Sequence, residues 1–111
     1  MDMEPARALF TALGDSTRRA IFQQLTLEGE LTVGRLTDHA GISQPAVSKH
    51  LAVLRHAGLV EGRKEGRETY YHATSQGLAP LIDWLQVYGV FWRDRLDASV
   101  SYTHLTLPTK A

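Results

Sequence analysis

From Ile42 to Val60 the chain reads ISQPAVSKHLAVLRHAGLV. Proline stands near the front, where the first turn of a helix has no use for its missing N–H. Glycine stands near the back, where a helix has to stop. On a wheel drawn at about 100° per residue, Ala46, Val47, Leu51, Val53, Leu54 and Ala57 share one broad side. Gln44, Pro45, Ser48, Lys49, Ala52, Arg55 and His56 share the other. Ser43 caps the helix, which starts at Gln44. The stretch is a short amphipathic helix, and whatever it folds into must bury one side of it and leave the other available.

The residues before it fix the local architecture. Thr32 caps a short helix with Val33, Leu36 and Ala40 facing inward, and Gly41 breaks the pattern. Apolar residues flank a glycine turn at the spacing of a helix-turn-helix, with Leu36 and Ala40 before it and Ile42 and Val47 after it. Thr37 stands where such units usually carry alanine, and its methyl can pack there. Upstream, a helix opening at Glu4-Pro5 carries the stripe Ala6, Leu9, Phe10, Leu13 and ends at Gly14. Asp15 caps a second helix with Ile21, Phe22 and Leu25 inward, closed at Glu28-Gly29. Leu31 suggests a brief strand. Downstream of Gly58 the period changes to two: LVEGRK and RETYYHA read as strands around a Glu65-Gly66 turn. A long helix follows, over Gly77 to Ala98, its start blurred by Pro80. The predicted fold is mostly α with a β-hairpin wing, a winged helix-turn-helix in the order α-α-(β)-α-α-β-β-α.

A chain of 111 residues holds one domain or little more. That domain is expected over 1–98, with 99–111 a non-native or disordered tail: SYTHLTLPTKA has no stripe, no cap and few charges. With no cysteine, disulfides, thiolate metal sites and thiol switching are excluded. No apolar run approaches the roughly 20 residues of a membrane helix, and MDMEPARALF lacks a signal-peptide layout, so a cytoplasmic protein is expected. The net charge of zero argues against a basic tail but allows a local patch.

Such a patch exists. From Ser43 to His72 there are five Lys/Arg and three Asp/Glu. The outward side of the Gln44 helix starts with small and amide residues rather than a Glu/Lys mixture, so a surface can come close. Gln pairs with adenine edges, Ser with either base type, Lys with guanine or phosphate. The helix N-terminus adds N–H groups for phosphate. Double-stranded DNA is therefore the expected partner, through Ser43, Gln44, Pro45, Ser48, Lys49 and Arg55 on the helix and Arg63, Lys64 and Arg67 on the wing. A winged helix used for protein contacts alone is the alternative. Catalysis is not expected: GRKEGR lies in a hairpin and lacks the strand–turn–helix setting of a phosphate loop.

The last helix carries Leu78, Leu81, Leu85, Tyr88, Trp92 and Leu96 in one stripe, flanked by Trp84, Val87, Phe91 and Ile82. Its apolar arc of roughly 220° far exceeds that of a helix buried on one side. Self-association is the economical cover. A homodimer interface is expected from Leu9, Phe10, Leu81, Trp84, Leu85, Tyr88, Phe91 and Trp92.

The segments ALGDSTRRAIFQQL, LTVGRLTDHAGISQPAVSKHLAVLRHAGLV and GRKEGRETYYHAT resemble the ArsR/SmtB family of bacterial winged-helix regulators, over roughly Pro5 to Asp97. The resemblance implies a homodimer that binds operator DNA and usually represses. Many members sense metal, through cysteines in the third helix or Asp/His pairs along the last. Here there is no cysteine, and no His lies between Thr74 and Ser101, only Asp83, Asp94 and Asp97. Neither a metal site nor a cofactor is expected. Control is left open between a small apolar ligand beside Trp84, Tyr88 and Trp92, a protein effector, and the regulator's own concentration.

Overall fold

A computed structural model describes the backbone of residues 4–99 and the side chains of residues 6–96. The elements are α1 (Glu4–Leu13), α2 (Ser16–Glu28), β1 (Leu31–Thr32), α3 (Val33–Ala40), α4 (Gln44–His56), β2 (Val60–Glu65), β3 (Glu68–Ala73), a 3-10 turn over Ser75–Leu78, and α5 (Ala79–Ser99). Two compact units emerge, Met1–Leu81 and Ile82–Ala111. The first holds the winged helix-turn-helix expected from the sequence. The second is α5 from Ile82 onward. The expected tail lies outside the described residues, apart from the backbone of Ser99, which still belongs to α5.

Three of the helix starts are set by the predicted caps. Asp15 accepts the Arg18 N–H at 2.9 Å, Thr32 the Arg35 N–H at 3.2 Å, and Ser43 the Ala46 N–H at 3.3 Å. The Arg18 N–H holds the Asp15 carboxyl below the usual carboxylate range. The end of α1 is closed from outside. Arg18 donates to the carbonyls of Ala12 at 2.7 Å and Thr11 at 3.2 Å, and Arg19 donates to Leu13 at 2.6 Å. Carbonyls that a helix end leaves unpaired are thus met by the next helix.

One cluster forms the core of the first unit. Leu9 and Ala12 of α1, Ile21, Phe22 and Leu25 of α2, Leu31, Leu36 of α3, Val47, Leu51 and Leu54 of α4, and Leu59 and Val60 meet there. Every buried side chain among the described residues is apolar. Burying a Leu or Val side chain is worth about 1.5–3 kcal/mol. The inner stripe of α4 alone therefore makes its orientation hard to change. Leu9 corrects an expectation: its side chain is 1% exposed, enclosed by this core, and is not available to a second chain. Its neighbour Phe10 is the exposed apolar residue of α1. Leu81 is half-buried against the same core rather than standing clear of it.

Two glycines make turns no other residue makes as easily. Gly41, between α3 and α4, lies at φ 73° and ψ 17°, the left-handed region. Gly58 lies at φ 82° just past α4. There its N–H bonds the Arg55 carbonyl at 2.9 Å, and the Leu59 N–H bonds the Leu54 carbonyl at 2.9 Å. These paired bonds, with Leu54 and Leu59 both buried, make a Schellman stop. The Thr74 hydroxyl donates to the Gly58 carbonyl at 2.7 Å, and a Cβ at Gly77 would collide with that same carbonyl. The exit of α4 and the approach to α5 are thus locked together. The chain therefore passes through the 3-10 turn before α5 begins at Ala79, two residues later than the pattern predicts, with Pro80 in the first turn.

The sheet order is β1-β3-β2, all antiparallel, with Leu31 opposite Tyr71 and Arg63 opposite Tyr70. Glu65 pairs with Glu68, so the hairpin turns through Gly66-Arg67 rather than the predicted Glu65-Gly66. The shift follows from the backbone: Gly66 alone has positive φ, which a two-residue hairpin of type II′ requires at its first position.

Gly58→Ala is expected to destabilise the protein by about 1–2 kcal/mol, the cost of a left-handed non-glycine residue. Urea unfolding followed by circular dichroism measures it; an unchanged midpoint would contradict the Schellman stop.

Candidate nucleic-acid interface

With Val47, Leu51 and Leu54 inside, α4 turns Gln44, Pro45, Ser48, Lys49, Ala52, Arg55 and His56 outward, and all are exposed. These are the residues the helical wheel assigns to that side. At about 1.5 Å per residue the 13 residues of α4 span roughly 20 Å, and a helix about 10–12 Å across fits a major groove about 12 Å wide. Short residues at the N-terminal end, Ser43, Gln44, Pro45 and Ser48, allow close approach. Arg55 in the last turn brings positive charge where the helix dipole favours it. Two details differ from the wheel. Val53 is exposed at 38% rather than inward, because its position lies at the rim of the apolar arc. The N-terminus also offers fewer donors than expected: Ser43 takes the Ala46 N–H, Pro45 has none, and the Val47 N–H bonds the Ser43 carbonyl at 3.0 Å. The Gln44 N–H is left at that end.

His50 lies on α4 between the core side and the outward side and is half-buried. Its Nδ1 is 3.4 Å from Arg18 Nη1. Arg18, which already closes α1, thereby ties α4 to α1 and α2. The guanidinium can only donate, so Nδ1 is the acceptor in this contact.

On the wing, Lys64 and Arg67 are exposed, Lys64 near the end of β2 and Arg67 in the turn. Arg63 is differently placed. Its Nε and Nη2 donate to the two carboxylate oxygens of Glu30 at 2.8 and 2.9 Å, and Nη1 donates to Glu65 at 2.6 Å. The guanidinium lies 4.8 Å from the ring centroid of Tyr70, its cross-strand partner. Glu30 in turn is held below the usual carboxylate range, first by the Arg63 hydrogen bond. His72 stands 3.4 Å from Glu61 and 3.9 Å from Glu30. No motif in the sequence marks Glu30, which is 33 positions from Arg63.

In the second unit the aromatic residues of α5 pack along their own helix. Trp84 and Tyr88 have ring centroids 4.6 Å apart, Phe91 and Trp92 meet edge-on at 5.2 Å, and Arg95 covers Phe91 at 4.4 Å. Ile82, Leu85, Val87, Tyr88, Val90, Phe91, Trp92 and Leu96 are all exposed, Val90 at 57% and Trp92 at 54%. Val90 is an addition to the stripe expected from the sequence. Among the described residues no three His, Asp or Glu side chains gather as a metal site would require. No helix of the described residues is long and apolar enough to cross a membrane.

A family model for a helix-turn-helix domain matches residues 13–63, from the end of α1 into β2. The HTH-type transcriptional regulator Rv2034 of Mycobacterium tuberculosis is 47% identical over 77 residues, covering 69% of this chain and 70% of that protein. The transcriptional repressor SdpR of Bacillus subtilis is 34% identical over 77 residues, covering 69% of this chain and 84% of the repressor. The crystal structure of the ArsR family transcriptional regulator RHA00566 superposes with a TM-score of 0.76 at 27% identity, covering 86% of this chain and 98% of that one. An exposed polar face on a buried-backed helix, a hairpin beside it and these likenesses converge: the chain belongs to the ArsR family of winged helix-turn-helix regulators, which bind DNA and are not enzymes.

Proposed function

We propose that the protein is a homodimeric repressor that binds a palindromic operator, with one α4 helix in each of two successive major-groove turns. The observation that carries this reading is the exposed run Gln44, Ser48, Lys49, Arg55 on a helix whose opposite side buries Val47, Leu51 and Leu54. Gln44, Ser48 and Lys49 read base edges. Ser43, Pro45 and Arg55 set the approach, and the wing meets the backbone beside them.

The dimer is supported by α5. Isolated exposed apolar residues are ordinary on a soluble protein, but eight on a single helix, four of them more than half exposed, form a surface that calls for cover. A second copy supplies a matching patch by symmetry, from Trp84, Leu85, Tyr88, Phe91 and Trp92 of α5. Two-fold pairing would place the α4 helices about 34–36 Å apart, one turn of DNA. A small dimer seated across a promoter represses by excluding polymerase. Control by a small-molecule or protein effector acts, in this reading, on the spacing of the two α4 helices.

Gln44→Ala and Lys49→Ala are each expected to weaken binding to the preferred duplex by about 1–3 kcal/mol and to relax its sequence preference. Fluorescence anisotropy on matched and scrambled duplexes measures both, and an unaltered preference in Gln44→Ala would remove that residue from base readout. Arg67→Ala should weaken all duplexes alike and reduce the slope of log affinity against log salt by about 0.9. Trp92→Ala should shift the protein toward monomer in sedimentation velocity and lower DNA affinity in parallel; an unchanged sedimentation profile would contradict the dimer.

A further inference from the structure

The wing is not uniformly basic. Neighbouring positions of a strand face opposite sides, so Glu61, Arg63 and Glu65 of β2 share one face. Their cross-strand partners are His72, Tyr70 and Glu68. Glu30 joins the same face through its two bonds to Arg63. That face thus holds the carboxylates of Glu30, Glu61, Glu65 and Glu68 against the single fixed positive charge of Arg63. A phosphate approaching Arg63 would meet this negative surround first. Lys64 is on the opposite face of β2 and Arg67 is in the turn, beyond the cluster.

Arg63 is also occupied as a fork. Three of its nitrogens donate to two carboxylates, and its plane lies over Tyr70. Glu30 belongs to the segment between α2 and β1, so the bidentate pair ties β2 directly to the body of the domain across the intervening β3. Val60, Tyr71 and Ala73 anchor the base of the hairpin on the core, and β1, its only neighbouring strand among the described residues, is two residues long. Arg63 is half-exposed, so the pair adds little to global stability. What it does is geometric: it joins β2 to the segment before β1 across β3.

We infer that Glu30 is a positioning residue for DNA binding: it holds Arg63 as the brace of the wing, and Lys64 and Arg67, rather than Arg63, carry the wing's contacts to the sugar–phosphate backbone. The inference rests on the DNA-binding reading above and deepens it. It replaces Arg63 as a backbone contact with a residue that touches no DNA.

The test uses the full chain and a random-sequence duplex about three helical turns long, titrated over a range of salt, with Glu30→Gln, Arg63→Lys and Arg63→Gln. A brace requires the guanidinium fork, which lysine cannot supply. All three variants should then lose affinity to a similar degree, about three- to tenfold, and keep the wild-type salt slope. Glu30→Gln combined with Arg63→Gln should be no weaker than either alone. A side-chain readout separates the brace from the DNA reading: the Arg63 Nε–H resonance should be protected from exchange in the wild type and lost in Glu30→Gln, with urea midpoints nearly unchanged. The proposal is overturned if Arg63→Lys binds like wild type while Arg63→Gln loses about 0.9 of salt slope, since Arg63 would then be a phosphate contact. It is equally overturned if Glu30→Gln binds more tightly, or if the wild-type Arg63 resonance is unprotected. Failure of the wild type to bind any duplex would instead sink the DNA reading, and the resonance would still decide whether Glu30 holds Arg63.

Discussion

The burial of one side of α4 is the constraint on which the rest of the molecule depends. Val47, Leu51 and Leu54 are packed among Leu36, Leu25 and Leu59 with almost no exposed surface. Rotating the helix by even a fraction of a turn would bring leucines into water and Lys49 or Ser48 into an apolar core, at several kcal/mol. The outward set is therefore presented by exclusion: Gln44, Ser48, Lys49 and Arg55 face solvent because their neighbours cannot. Gly41 and Gly58 bracket this helix with the two turns that let the chain enter and leave it on schedule. The Gly58, Thr74 and Gly77 contacts then fix where the next helix can start. A regulator that reads DNA needs this rigidity, since base-edge contacts tolerate little misplacement.

Around that fixed helix, electrostatics are divided with some economy. A chain with no net charge cannot rely on a broad positive field to find DNA. Positive side chains are instead placed locally: Lys49 and Arg55 on α4, Lys64 and Arg67 on the wing. Three other arginines bond within the protein itself. Arg18 closes α1 and reaches His50, Arg19 bonds the Leu13 carbonyl at the same helix end, and Arg63 is paired with Glu30 and Glu65. Counting basic residues in a window overstates how many are available to phosphate. The α5 unit raises a separate question, for its exposed aromatics demand a cover that one copy of the described residues does not give them.

Much of the fold was legible because it rests on local rules. Asp15, Thr32 and Ser43 are recognisable as caps from type and position alone, and each makes its backbone bond. The helix periods and the change to a period of two after Gly58 gave the element order. What escaped depends on atoms distant in sequence or on geometry finer than a pattern. The hairpin turn shifted by one residue because a positive φ is needed at the first turn position, which only Gly66 adopts. Leu9 and Phe10 are adjacent in one apolar stripe, yet the core takes Leu9 and leaves Phe10 out, a choice made by α2 and α4 rather than by α1. The Glu30–Arg63 pair joins residues 33 apart and carries no motif. At the site, the face of α4 was readable from a wheel, whereas the role of Arg63 was not, since a basic residue in a hairpin looks the same whether it faces phosphate or a carboxylate.

In the proposed arrangement, two copies of this chain present two α4 helices to one duplex. Selection of bound fragments from a random DNA pool, at physiological salt and with the full-length protein, tests it most directly. The paired arrangement should enrich an inverted repeat whose half-sites are centred about 10–10.5 base pairs apart or a multiple of that, each carrying a base-specific core. Enrichment of a single asymmetric half-site would contradict the paired arrangement, and a pool left unenriched after repeated rounds would contradict sequence-specific binding by α4.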